Sequence, residues 1–121
     1  RRLKRRCGEN VIYPGYVKEI VSPYSAADLF FMPSYAETFG LVIMEALSCS
    51  LPVIARDISE FHDIFGENIL YFRSREDAAS LIDDSGRLAS CAAGARAFTE
   101  KFDIRDIAQR HLALYRELVD A

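Results

Sequence analysis

Two carboxylates, Glu37 and Glu45, bracket a glycine in the stretch Pro33-Ser-Tyr-Ala-Glu37-Thr-Phe-Gly40-Leu-Val-Ile-Met-Glu45-Ala-Leu47. An ionised carboxylate only accepts hydrogen bonds, and its two oxygens suit the paired hydroxyls of a sugar. Gly40 lets the backbone come close to a ligand or adopt a left-handed φ. If a helix opens there, the N–H groups of Gly40, Leu41 and Val42 have no intrahelical partners, and the positive helix end suits a phosphate. Glu45 then stands about one turn inside the helix and Glu37 in the loop before it, so both carboxylates approach one pocket from different elements. Each part also has a plainer reading. Ser34-x-x-Glu37 fits a capping box, Glu45 fits a solvated helix residue, and Leu41, Val42, Met44 and Leu47 read as core.

The elements that must hold this stretch are legible as alternating patterns. Four short apolar runs, Val11–Tyr13, Leu29–Met32, Pro52–Ala55 and Ile69–Phe72, each stop at Pro, Ser, Arg or Asp. Runs of this length without polar alternation suit strands covered on both faces of a parallel sheet, with helical crossovers between them. Ser22-Pro23 offers a helix start with Pro in the first turn. Ser74 with Glu76 and Asp77 predicts a helix running to about Leu88. Leu88, Ala92, Ala95 and Phe98 form a further helical stripe. Asp103 and Asp106 open a last helix with Ile104, Ile107, Ala108, Leu112, Tyr115, Leu118 and Val119 on one face. The expected architecture is α/β, one domain over residues 1–121, with two consecutive helices closing the chain. The stretch from Glu37 to Glu45 falls just beyond a strand's C-terminal end, where parallel α/β sheets bind ligands.

Composition narrows the function classes. Half of the 121 residues are apolar and 27% are charged, which excludes disorder, while six Gly and four Pro exclude a collagen-like chain. No apolar run reaches the ~18–20 residues of a membrane span, and no signal peptide opens the chain. Cys7, Cys49 and Cys91 form no C-x-x-C pair, which points to a reducing cytoplasm rather than a disulfide framework or zinc site. The net charge of −3 hides a split, because residues 1–6 (Arg-Arg-Leu-Lys-Arg-Arg) carry +5 and the remainder −8. The basic run fits a patch for nucleic acid or anionic lipid, or a solvated helix end. The acidic remainder excludes a dedicated nucleic-acid binder. The start without Met, in mid-pattern, reads as a piece of a longer protein. His62 and His111 lack any placed Ser or Cys partner and read as packing or solvated residues.

Glu37-x7-Glu45, set in Pro-Ser-x-x-Glu-Thr-Phe-Gly-Leu-x-x-x-Glu-Ala, resembles the E-x7-E signature of retaining GT-B glycosyltransferases of family 4. Val11-Ile-Tyr-Pro-Gly-Tyr-Val17, Tyr24-Ser-Ala-Ala-Asp-Leu-Phe30 and Leu51-Pro-Val-Ile-Ala55 stand where that family has its counterparts. The match is good over roughly residues 10 to 72 and reduces to a helical tail beyond. The resemblance implies a Rossmann-like parallel sheet with flanking helices, the C-terminal portion of a nucleotide-sugar-binding domain.

By that resemblance Glu45 accepts hydrogen bonds from ribose hydroxyls. Glu37 holds a hydroxyl of the donor sugar and is the catalytic carboxylate. The backbone of Phe39, Gly40, Leu41 and Val42 serves sugar and diphosphate, with Ser34 nearby, and the backbone at Tyr16 and Val17 faces the base. The implied partners are a nucleotide-diphosphate sugar and an acceptor glycan or lipid delivered by an N-terminal domain outside this chain. No cofactor or D-x-D metal site is implied, and Asp83-Asp84 reads as helical surface charge. The implied location is the cytoplasm, with room for peripheral association at the inner face of a membrane.

Two departures stand out. The family's Arg and Lys pair that neutralises the diphosphate falls before residue 1, and Arg56, Arg73 and Arg75 inherit no such role. Where many relatives have Gly-Gly after the third strand, this chain has Arg56-Asp-Ile-Ser-Glu60-Phe. That variant resembles enzymes that build glycolipids, such as diacylglycerol glucosyltransferases. The rival readings are a non-catalytic nucleotide-binding or partner-docking module of the same fold, and a GT-B phosphorylase or epimerase. A phosphorylase needs a cofactor-anchoring Lys, and Lys4, Lys18 and Lys101 fall in no convincing site.

Overall fold

The computed structural model describes residues 9–120; the basic run 1–6 and Cys7 lie outside them. Three of the four apolar runs form strands, β1 (Phe30–Met32), β2 (Val53–Arg56) and β3 (Leu70–Phe72). They pair in the order β1-β2-β3, all parallel, with Phe30 opposite Val53 and Ile54 opposite Leu70. Helix α1 (Val21–Ser25) precedes β1, and α2 (Leu41–Ser48) links β1 to β2. Helix α3 (Ser59–Phe65) and a 3-10 turn at Gly66–Asn68 link β2 to β3. Then follow α4 (Arg75–Asp83), α5 (Ser85–Glu100) and α6 (Ile104–Val119).

Strand β2 organises the layers, because its side chains alternate between faces. Val53 and Ala55 join Ile43, Leu47, Phe61, Phe65, Ala95 and Phe98 on one face. Ile54 joins Phe72, Ala78 and Leu81 on the other. Helices α1, α2, α3 and α5 therefore cover one side and α4 the other, as the unalternated apolar runs require.

Several expectations are corrected. Val11–Tyr13 is not a strand: Ile12 is 85% exposed, and no strand of the described residues pairs with this run. Pro14, which lacks an N–H, ends it before a ladder can extend. Helix α1 starts at Val21 rather than after Ser22, and its cap is the Glu19 carboxylate, which accepts from the N–H of Val21 (2.7 Å) and Ser22 (3.0 Å). Ser74 does cap α4, accepting from the Asp77 N–H. That helix ends at Asp83 instead of Leu88, because Asp84 turns the chain and caps α5 through the Arg87 N–H. Asp84 is thus a half-buried cap rather than plain surface charge. Asp103 caps α6 as expected. The apolar face of α6, however, contributes no buried residue, and Val119 is 83% exposed. Periodicity identifies an apolar face without identifying what covers it.

Left-handed residues sit at both ends of α2. Gly40 is its N-cap, at φ 81° and ψ 49°. A Cβ there would come within 3.1 Å of the Phe61 ring and 3.3 Å of Ile43 Cδ1. The missing side chain thus faces the core, so the fold itself demands glycine. At the other end Ser50 takes φ 58°. The Leu51 N–H donates to the Ala46 carbonyl and the Ser50 N–H to the Leu47 carbonyl, the bonding pattern of a Schellman termination.

Past the sheet's C-terminal end, Asp57 fastens three elements. Its carboxylate accepts from Arg73 Nε beyond β3 and lies 2.7 Å from His62 Nε2 on α3. The side chain is only 17% exposed. His62, read from the sequence as a packing or solvated residue, also stacks on Tyr71 at 4.0 Å. The Tyr71 hydroxyl lies 2.7 Å from the Gly66 carbonyl. Arg73, and then His62, hold the Asp57 carboxyl below its ordinary value. Burial, with the Asp57 charge, pushes Tyr71 up to about 12.

Three outcomes follow for this chain. Gly40→Ala should lower unfolding free energy by about 2–4 kcal/mol, from left-handed strain plus overpacking. Ser50→Gly should raise it by about 1 kcal/mol, since glycine removes the strain and keeps the termination. Denaturant titration of both variants reads these opposite signs. Because the folded-state pKa of Asp57 is depressed, its contribution is present above the unfolded value and lost as pH falls through the folded one. The stability gap between wild type and Asp57→Asn should therefore hold from about pH 7 to about pH 5 and shrink as the pH falls below about 4; a gap independent of pH would remove the carboxylate from the fastening.

Candidate functional site

The loop from Pro33 to Gly40 leaves β1 at the sheet's C-terminal end and delivers the chain to α2. No helix begins at Ser34, so the capping-box reading of Ser34 and Glu37 does not hold. The Ser34 hydroxyl instead lies 3.9 Å from the Met32 sulfur. Arg56, at the end of β2, donates from Nε to the Pro33 carbonyl (3.1 Å) and stacks its guanidinium over the Tyr35 ring at 3.9 Å. That contact ties the loop to the neighbouring strand. Glu37 is half-buried within the loop.

The placement of Gly40 starts α2 with the N–H groups of Leu41 and Val42 ahead of its first intrahelical bonds. Those bonds begin with Ile43 donating to the Gly40 carbonyl at 2.9 Å. Leu41 is 68% exposed and Val42 is also exposed, so neither is core as expected. Ile43, Ala46 and Leu47 form the buried face instead, and Met44 is partly buried. The hydrophobic face of α2 is thus rotated from the one read off the sequence. Turning Leu41, Met44, Glu45 and Ser48 outward makes them one wall of a groove of about 340 Å³. Phe39 adds to that wall, and Thr99, Phe102, Ile104 and Ile107 form the opposite side.

The structure therefore brings Phe39, Leu41 and Glu45 to one groove. Glu37 is not among that groove's lining, so the two carboxylates do not share it. Glu45 is an exposed carboxylate in largely apolar surroundings. Tyr16 is exposed and Val17 half-buried, in the irregular segment before α1. Sequence reasoning gave no role to Tyr24, whose hydroxyl lies 3.2 Å from Glu45 Oε2 and 3.4 Å from the Val42 carbonyl. Burial, then the hydrogen bond to Glu45 and its charge, push the Tyr24 phenol up to about 12. Its signal in the sequence was faint: a lone aromatic among small and polar residues, pairing across 21 positions.

Arg56 and the group of Asp57, His62 and Arg73 were also missed as a set. Their common location just past strand ends could have signalled them. Among the described residues, no three His, Cys, Asp or Glu side chains come together as a metal site would require. No helix among them is long and apolar enough to cross a membrane.

Comparison with known proteins accords with this geometry. A family model described as "Glycosyl transferases group 1" matches residues 1–90. The processive diacylglycerol alpha-glucosyltransferase of Acholeplasma laidlawii is 37% identical over 69% of this chain and 26% of that protein. A D-inositol 3-phosphate glycosyltransferase of Catenulispora acidiphila is 34% identical over 84% of this chain and 26% of that protein. The chain thus spans about a quarter of the length of these curated relatives. Among solved structures, the sucrose-phosphate synthase of Thermosynechococcus elongatus superposes with a TM-score of 0.68 at 29% identity, over 81% of this chain and 27% of that one. With a family match across most of its residues and a parallel α/β sheet shared with such enzymes, the chain belongs to the glycosyl transferases of group 1.

Proposed function

We propose that this chain is the donor-binding part of a retaining glycosyltransferase, the C-terminal portion of its nucleotide-sugar-binding domain. The observation that carries the reading is the path from Glu37 through Gly40 to Glu45. It crosses from the C-terminal end of β1 into α2 and sets a loop carboxylate, unbonded helix amides and a helix carboxylate in succession. Glu45 accepts from the ribose hydroxyls, which are the better donors for an exposed carboxylate. Glu37 holds a hydroxyl of the donor sugar beside the reacting carbon. The amides of Leu41 and Val42 lie under the diphosphate, Phe39 and Ser34 flank it, and the backbone of Tyr16 and Val17 meets the base. Gly40 contributes through the conformation that starts the helix, not through empty space for the donor, since its missing side chain faces the core.

The whole enzyme moves the sugar to an acceptor hydroxyl with its anomeric configuration kept. Helix amides and basic groups contributed from outside this chain stabilise the departing diphosphate. Positioning of donor against acceptor supplies much of the remaining acceleration. A lipid-linked acceptor is favoured by the Arg56-to-Phe61 variant and by the glucosyltransferase relative named for diacylglycerol. Such an acceptor suits a cytoplasmic enzyme with peripheral membrane contact.

Glu45→Gln in the full-length protein tests the reading. It keeps the side-chain shape and weakens two charge-assisted hydrogen bonds, a loss of about 1.5–3 kcal/mol. Affinity for the nucleotide sugar should fall by about tenfold to a hundredfold with the melting temperature nearly unchanged. Wild-type affinity in the variant would return Glu45 to a solvated helix position.

A further inference from the structure

We propose that Tyr24 is a positioning residue for donor binding, its hydroxyl fixing the Glu45 carboxylate so that the other oxygen is presented to the ribose; this rests on the role given to Glu45 above. A glutamate on an exposed helix face ordinarily samples several rotamers, and a ligand that needs one of them must wait for it. Here one carboxylate oxygen already has a fixed partner. Tyr24 is 8% exposed, and its ring stands edge-on to Phe30 at 5.7 Å, so the phenol has little freedom of its own. The hydroxyl has one proton and two acceptors in reach. Glu45 Oε2, at 3.2 Å, is charged and closer than the Val42 carbonyl at 3.4 Å. A bond to the charged acceptor is the stronger of the two.

The anchorage of Tyr24 comes from upstream. Helix α1 is barely more than one turn, too short to persist alone. The Glu19 carboxylate caps its first amides, and the Tyr24 ring itself enters the core with Ile43, Leu47 and Leu51. The same short turn that holds Tyr24 against Glu45 therefore follows directly on the segment carrying Tyr16 and Val17. Tyr24 couples the two stretches, which are far apart in sequence, without itself touching the donor.

The test titrates full-length wild type, Tyr24→Phe, Glu45→Gln and the double variant with uridine, guanosine and adenosine diphosphates. Each is compared with its 2′,3′-dideoxy counterpart, and affinities are corrected for folded fraction. The wild type should prefer the ribo form of the nucleotide it binds. Tyr24→Phe should weaken that ribo form by about threefold to tenfold and leave the dideoxy form unchanged. In the Glu45→Gln background the same change should add little, as two residues acting through one contact require. A purely structural role would lower both forms by one factor, and that result overturns the positioning role, as does full ribo affinity in Tyr24→Phe. If instead Glu45→Gln keeps both affinity and ribo preference, or no diphosphate binds, the donor reading itself falls and Tyr24 loses its function with it.

Discussion

The left-handed conformation of Gly40 fixes where α2 begins, and much of the molecule depends on that point. A chain leaving β1 must turn sharply to lay a helix back across the sheet, and the space for the turn is closed by Phe61, Ile43 and Phe65. A side chain at this position would collide with the same aromatic cluster that holds α3 against the sheet. The turn, the packing of α3 and the start of α2 are therefore one constraint. Its consequence for function is angular. With the helix started at Leu41, Ile43 and Leu47 point inward and Glu45 outward. Starting the helix one residue later would rotate the carboxylate by about 100°.

This explains why the stretch from Glu37 to Glu45 was easier to single out than the rotation of α2. Glu37, Gly40 and Glu45 stand out by type and spacing, two carboxylates bracketing a glycine. The inward face of α2 does not. Leu41 and Val42 are as apolar as Ile43 and Leu47, and eight residues with six apolar side chains carry only a weak rotational signal. The rotation is settled by the Gly40 turn and the rings beneath it, which are long-range facts. The strands β1, β2 and β3 were readable for the opposite reason: burial on both faces leaves a local apolar run. Val11–Tyr13 shows the same run without the burial, since a run marks capacity for a strand while only a neighbour completes one.

The network past the strand ends has a different origin. Asp57, His62 and Arg73 are ordinary surface types, spread over 17 residues, and nothing in their spacing links them. They meet because β2 and β3 are parallel neighbours, which brings the residues just after each strand to one edge. Arg56 reaches the Pro33 carbonyl across the adjacent strand pair for the same reason. Parallel topology thus makes pairs that sequence separation conceals. In this chain it uses Arg56 and Arg73, at and just past strand ends, to hold loops in place.

That use of the arginines bears on how charge is divided around α2 among the described residues. A diphosphate set near α2 would meet the carboxylates of Glu37 and Glu45, two full negative charges, against about half a positive charge from the helix end. The amides of Leu41 and Val42 offer direction more than compensation. Arg73 is already bonded to Asp57, and Arg56 to the Pro33 carbonyl and the Tyr35 ring. Drawing either away would loosen the loop or the strand ends that shape the site. Among the described residues, the groups around α2 are therefore better suited to orienting a polyhydroxylated ligand than to neutralising a phosphorylated one. Cations supplied from beyond these residues would serve both electrostatics and order of assembly, because the donor would bind strongly only where the two sets of groups face each other.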